Sequence, residues 1–210
     1  MQFRNLIFLA IIYLGLSINT SAQSSENNRE RRFNAAIVAG LNFSQIDGDA
    51  IAGYHKVGMS VGGRAGIKLA ERWELSMELL YSQRGSQSPL VKGQPRGLKY
   101  HLDYFDIPVE INFKDWKAVD GKDRPFMRAM IGAGFTYSRL FRSKKEVGGL
   151  EDPAGVDDLK RDDVMFQFTV SFYAFRYLGF SLRWGRSLFS MHKTDAFINH
   201  TLNFRAFYQF

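Results

Sequence analysis

Eight segments of this chain put an apolar residue on every second position, and few folds accept that pattern so many times in one chain. Phe33, Ala35, Ile37, Ala39, Leu41 and Phe43 share one parity, with Asn34, Gly40 and Asn42 on the other. A helix would scatter such residues around a cylinder, whereas a strand gathers them on one face. The rhythm returns in Val57–Leu69, in Trp73–Tyr81, in Phe105–Phe113, in Met127–Tyr137, in Val164–Phe172, in Phe180–Trp184 and in Leu202–Phe210. Leu102 and Tyr104 break parity just before the fourth segment, which predicts a bulge there.

The connections come in two lengths that alternate in order. Residues 70–72 and 176–179 are tight turns, and Lys114–Arg124 is a somewhat longer polar link. The intervening stretches, Ser44–His55, Gly85–Lys99, Leu140–Asp163 and Phe189–Asn199, are long. An up-and-down meander with one trimmed rim and one looped rim has this signature.

What lies on the polar parity decides between a soluble sandwich and a barrel in lipid. That face carries Arg64, Lys68, Glu74, Glu78, Glu110, Arg128, Arg183 and Arg205 among Gly58, Gly62, Gly66, Gly132, Gly134 and several serines. Glycine weakens a strand, so a water-facing sheet has little use for it there. A narrow interior packed with long ionic side chains does. Eleven residues at about 3.3 Å each, tilted near 45°, cover roughly 25 Å, the height of an outer-membrane apolar band. Phe33, Phe43, Trp73, Tyr81, Phe113, Tyr137, Trp184 and Tyr208 stand at segment ends, where interfacial girdles of aromatics belong. The expectation is an all-β, eight-stranded antiparallel up-and-down transmembrane β-barrel over residues 33–210.

The N-terminus agrees with export. A basic lead, the apolar run Leu6–Leu16 and the small residues Thr20-Ser21-Ala22 read as a signal peptide over residues 1–22, and Gln23–Arg32 reads as a flexible periplasmic leader. Without Met1–Ala22, which holds one arginine, the net charge falls from +7 to +6. For an exported chain this points away from nucleic acid. It suits arginines buried among carboxylates, or contact with anionic lipid and lipopolysaccharide. The chain has no cysteine, so its stability comes from sources other than disulfides.

"GLNFSQIDGD", "LSMELLYSQRG", "LDYFDIPVEINF" and "IGAGFTYS" together resemble the PorT-like, or porin-family, outer-membrane β-barrel proteins of Bacteroidota, over about Phe33 to Phe210. The resemblance implies residence in the cell outer membrane and an eight-stranded barrel; it carries no functional residue. The ending Tyr208-Gln209-Phe210 likewise resembles the terminal aromatic signature by which such barrels are handed to the outer-membrane assembly machinery.

Eight strands enclose a lumen that side chains can fill. Arg64, Glu74, Glu78, Glu110, Arg128, Arg183 and Arg205 are therefore read as a structural charge network that plugs it, because an unpaired arginine there would cost several kcal/mol. The expected role is structural or partner-binding, the partner meeting the extracellular loops, of which the mixed-charge Leu140–Asp163 is the best suited. A narrow channel for ions or small solutes is the alternative. A lipid-modifying barrel enzyme is the second alternative, since His55, His101, His192 and His200 fall in or beside the long loops near Asp47, Asp49, Asp103, Asp195 and Ser190. No two histidines have metal spacing and no nucleophile motif surrounds a serine, so no catalytic residue, metal or cofactor is assigned.

Overall fold

The computed structural model describes residues 32–48, 53–88, 97–152, 159–192 and 197–210. The readings for residues 1–22 and, apart from Arg32, 23–32 lie outside these.

Nine strands occur among the described residues: β1 (Phe33–Asp47), β2 (Lys56–Lys68), β3 (Trp73–Gln87), β4 (Leu98–Val119), β5 (Pro125–Val147), β6 (Leu150–Glu151), β7 (Asp162–Tyr173), β8 (Leu178–Ser187) and β9 (Ile198–Gln209). Eight of them form a ring in which each strand is antiparallel to its neighbours. The ring closes through β1 and β9, with Ala36 opposite Gln209 at one end and Asp47 opposite Ile198 at the other. Closure leaves no strand edge in the wall, as hydrocarbon requires.

The alternation sets which way each residue points. Ile37, Met77, Leu79, Ile111 and Phe135 lie on the outside of the ring with about half of their surface free, while their neighbours Val38, Glu78, Glu110 and Thr136 are buried. Inward glycines let the strands approach and coil. A Cβ at Gly62 would run into the carbonyl oxygen of Leu79, and one at Gly134 into that of Val109.

Two features depart from the sequence expectation. β4 and β5 run to 22 and 23 residues, well past the apolar alternation at both ends. Ladder hydrogen bonds hold any residue type, so the hairpin outlasts its hydrophobic pattern in both directions. The Lys114–Arg124 link is therefore strand as far as Val119, followed by a tight turn in which Asp120 accepts hydrogen bonds from the backbone N–H groups of Lys122 (2.9 Å) and Arg124 (3.0 Å). The Leu140–Asp163 stretch likewise begins as strand and carries the extra strand β6. The register shifts between Asp103 and Tyr104, at the parity break.

Two apolar clusters lie inside. On the loop side, Leu159, Met191 and Phe197 from the long connections pack on Ile46, Tyr100, Leu102, Tyr104 and Leu140 and cover the mouth. Toward the turn side, Val38, Leu80, Tyr173 and Phe207 form a second layer.

Candidate functional site

Between those layers lies the ionic middle of the lumen. Glu74 and Glu78 are both inward on β3, with the small Ser76 between them, and register places Arg64 of β2 directly opposite Glu78. Glu110 of β4 stands between Ser76 and Gly134, so small residues on both flanks leave room for arginines that reach across.

Glu78 is the centre. It takes a two-pronged contact from Arg183 (2.9 and 3.0 Å) and a further bond from Arg205 (2.8 Å), with Arg64 Nε at 3.8 Å. Arg183 also reaches Glu110 at 3.0 Å, and Thr169 bridges the two, donating to Glu110 (2.5 Å) and accepting from Arg183 Nε (3.0 Å). Glu74 accepts from Arg64 (2.6 Å), Lys114 (2.5 Å) and Asn34 (2.7 Å). Three glutamates thus meet three arginines, all almost wholly buried, and one lysine, Lys114, that stays partly exposed at the turn-side end. Fork-shaped guanidinium contacts of this kind offset the cost of burying charge.

Six of the seven residues expected in the lumen network converge there. Arg128 does not. It lies across from Trp116, between the pairs Asp115 with Ala129 and Lys117 with Met127, and its guanidinium stands over the rings of Trp116 (5.8 Å), Phe126 (5.8 Å) and Phe172 (5.9 Å). Trp116 has φ 61°, so β4 is locally irregular at the point where Arg128 would otherwise meet a regular wall.

A second ionic group lies nearer the loops and was not singled out from the sequence. Arg84 binds Asp106, stands 4.9 Å over the Tyr104 ring, and neighbours Asp163, which accepts from Ser187 at 2.7 Å. The signal was present, since Arg84 and Asp106 both occupy polar parities of their strands. A cavity of about 20 Å³ between the two ionic groups is lined in part by Arg84, Asp106, Gln167, Arg183 and Arg205. That holds one or two waters.

The loop histidines form no common centre among the described residues. His101 meets Asp103 at 3.0 Å, and Asp103 is held in turn by Tyr81 at 3.1 Å, while His200 meets Asp47 separately at 2.9 Å. His192 donates its backbone N–H to Ser190. Asp49 and Asp195 lie outside the described residues, and no group of three metal-ligating side chains occurs among those described. Among the described residues of the Leu140–Asp163 stretch, Lys144 pairs with Glu151 (3.1 Å), Lys145 with Asp152 (3.0 Å) and Glu146 with Lys99 of β4 (3.6 Å).

An antiparallel ring that is apolar outside and ionic inside defines a membrane-spanning β-barrel. The chain belongs to the outer membrane protein beta-barrel domain family, whose model matches residues 21–193, and it resides in the outer membrane. It is similar in structure to Ail, the attachment invasion locus protein of Yersinia pestis (13% identity, TM-score 0.46, covering 86% of this chain and 100% of that one). It is also similar to Neisserial surface protein A (9%, 0.45, 85% and 96%) and to OprG from Pseudomonas aeruginosa (11%, 0.41, 86% and 97%). No curated protein matches the chain.

Proposed function

We propose that this protein is a sealed, non-catalytic barrel that acts as a scaffold in the outer membrane and binds a partner protein on its loop side, with the long connections outside the cell. The observation that carries this reading is the filled lumen, ionic in the middle with apolar clusters toward both ends, which among the described residues leaves no continuous path for solutes. Beyond Arg139, β5 no longer pairs with β7; its ladder with β4 continues out to Leu98 and Val147, where the turn from β5 into β6 exposes Val147 and Leu150. An apolar tip on a charge-paired stalk supports contact with another surface. The quoted segments on β1 and β3–β5 support a PorT-like member of the family. Lipid and lipopolysaccharide against the apolar wall, and assembly through the β9 strand, belong to the same reading.

Planar-bilayer recording tests it. The purified barrel is expected to give no steady conductance steps. Reproducible single-channel steps would favour the narrow channel and overturn the plug. Transfer or loss of an acyl chain on co-incubated lipid, seen by mass spectrometry, would favour the lipid-modifying enzyme instead.

A further inference from the structure

Three neighbouring strands present buried oxygen atoms that no protein group hydrogen-bonds. Ser138 of β5 lies directly between Asp106 of β4 and Asp163 of β7 in register. Directly opposed residues on one face have Cβ atoms about 4.5–5.5 Å apart, so the three side chains share one patch of the lumen wall. All three are buried, Ser138 completely. Ser138 Oγ, Asp106 Oδ1 and Asp163 Oδ1 each lack a hydrogen-bond partner. Asp106 Oδ2 is held by Arg84 and Asp163 Oδ2 by Ser187, and the backbone N–H of Val164 also approaches the Asp163 carboxylate.

The charge there does not balance. One guanidinium, Arg84, faces the two carboxylates of this group, whereas in the middle of the lumen three arginines and Lys114 face three glutamates, with Lys114 at the far, turn-side end on Glu74. A buried, uncompensated negative charge is costly, and so is each orphaned oxygen. Oxygens gathered around a small cation stand too far apart to bond one another, yet close enough to share the ion. A water molecule would satisfy the oxygens but leave the charge. A divalent ion would overshoot it, with Arg84 already in place.

We propose that Asp106, Ser138 and Asp163 bind a small monovalent cation of the sodium class, which completes the loop-side ionic group and ties β4, β5 and β7 together beneath the apolar mouth.

The test compares heat unfolding of the full barrel in detergent in sodium chloride and in N-methylglucamine chloride at equal ionic strength. Wild type is expected to unfold about 3 °C higher in sodium, the order a single bound ion gives a chain of this size. Asp163→Asn, which removes the surplus charge, is expected to unfold at one temperature in both salts. Equal midpoints for wild type would overturn the site in favour of water or a proton. A sodium effect that persists in Asp163→Asn would place the ion elsewhere and overturn it too. Should that variant fail to fold, wild-type crystals soaked in thallium(I) decide. An anomalous peak between the three side chains supports the site, and its absence overturns it.

Discussion

Arg205 meets Glu78 at 2.8 Å in the middle of the lumen, and Lys117 meets Glu71 at the same 2.8 Å on the turn-side rim. The distances are equal and the surroundings opposite. The lumen pair is almost wholly buried, with side-chain exposures of 4% and 3%, against 63% and 67% on the rim. Water and salt screen the rim pair and can replace either partner, so its net contribution is small. In the lumen bulk water and salt do not reach a stranded partner, and the small cavity beside Arg183 and Arg205 has room for only one or two water molecules. Contact distance alone therefore says little about what holds this barrel together, and the number of partners that a deletion would strand says more.

Replacing Glu78 should separate the two regions most. Glu78→Ala strands Arg183 and Arg205 and deprives Arg64 of a neighbour, and it is expected to cost about 3–5 kcal/mol in reversible unfolding from detergent. A loss no greater than that of an exposed Glu→Ala would break the comparison. Next comes the apolar mouth. Leu102 has no exposed surface, and Leu102→Ala should cost about 2–4 kcal/mol through the cavity it leaves, measured in the same unfolding experiment. That result would place packing and charge on a similar footing inside the lumen.

The rim supplies the small effects. Glu71→Ala should leave the unfolding midpoint unchanged, and raising the salt concentration should not alter that outcome. Asp120 gives a pH signature. Its carboxylate is pulled down to about 2, chiefly by the hydrogen bond from the Arg124 side chain and then by backbone N–H groups of Arg124 and Lys122. A folded-state value below the ordinary one means the contact stabilises above about pH 4 and fades as pH falls toward 2. The midpoint difference between wild type and Asp120→Asn should be small, flat from pH 7 to 4, and gone by pH 2.

Much of the barrel was legible because its one structural rule has period two. Any chain that places Ile37, Leu79, Ile111 and Phe135 on one parity and Glu78, Glu110 and Arg183 on the other has declared two faces. The charge network followed from that rule together with the cost of burying an unpaired arginine. The partners could not be paired in advance. Glu78 and Arg183 are 105 residues apart, and only the register of the closed ring brings them together. Inward apolar residues such as Tyr104 and Phe207 were also hidden, because they occupy the polar parity and read there as interruptions. Strand ends were illegible for a different reason, since the β4–β5 ladder is held by backbone groups that carry no sequence signal. Arg128 obeyed the parity, but Trp116 broke the ladder opposite it and offered aromatic rings in place of a carboxylate.

The account rests on the outer parity touching hydrocarbon and the inner parity being sealed away from it. The absence of cysteine makes this directly measurable, because single-cysteine variants carry one spin label each. Labels placed one at a time from Phe166 to Phe172 of β7, in the barrel reconstituted in lipid, should show oxygen accessibility alternating with period two. The maxima should fall at Phe166, Phe168, Val170 and Phe172, and the minima at Gln167, Thr169 and Ser171. Uniform accessibility along the strand, or maxima at the three polar positions, would contradict the account.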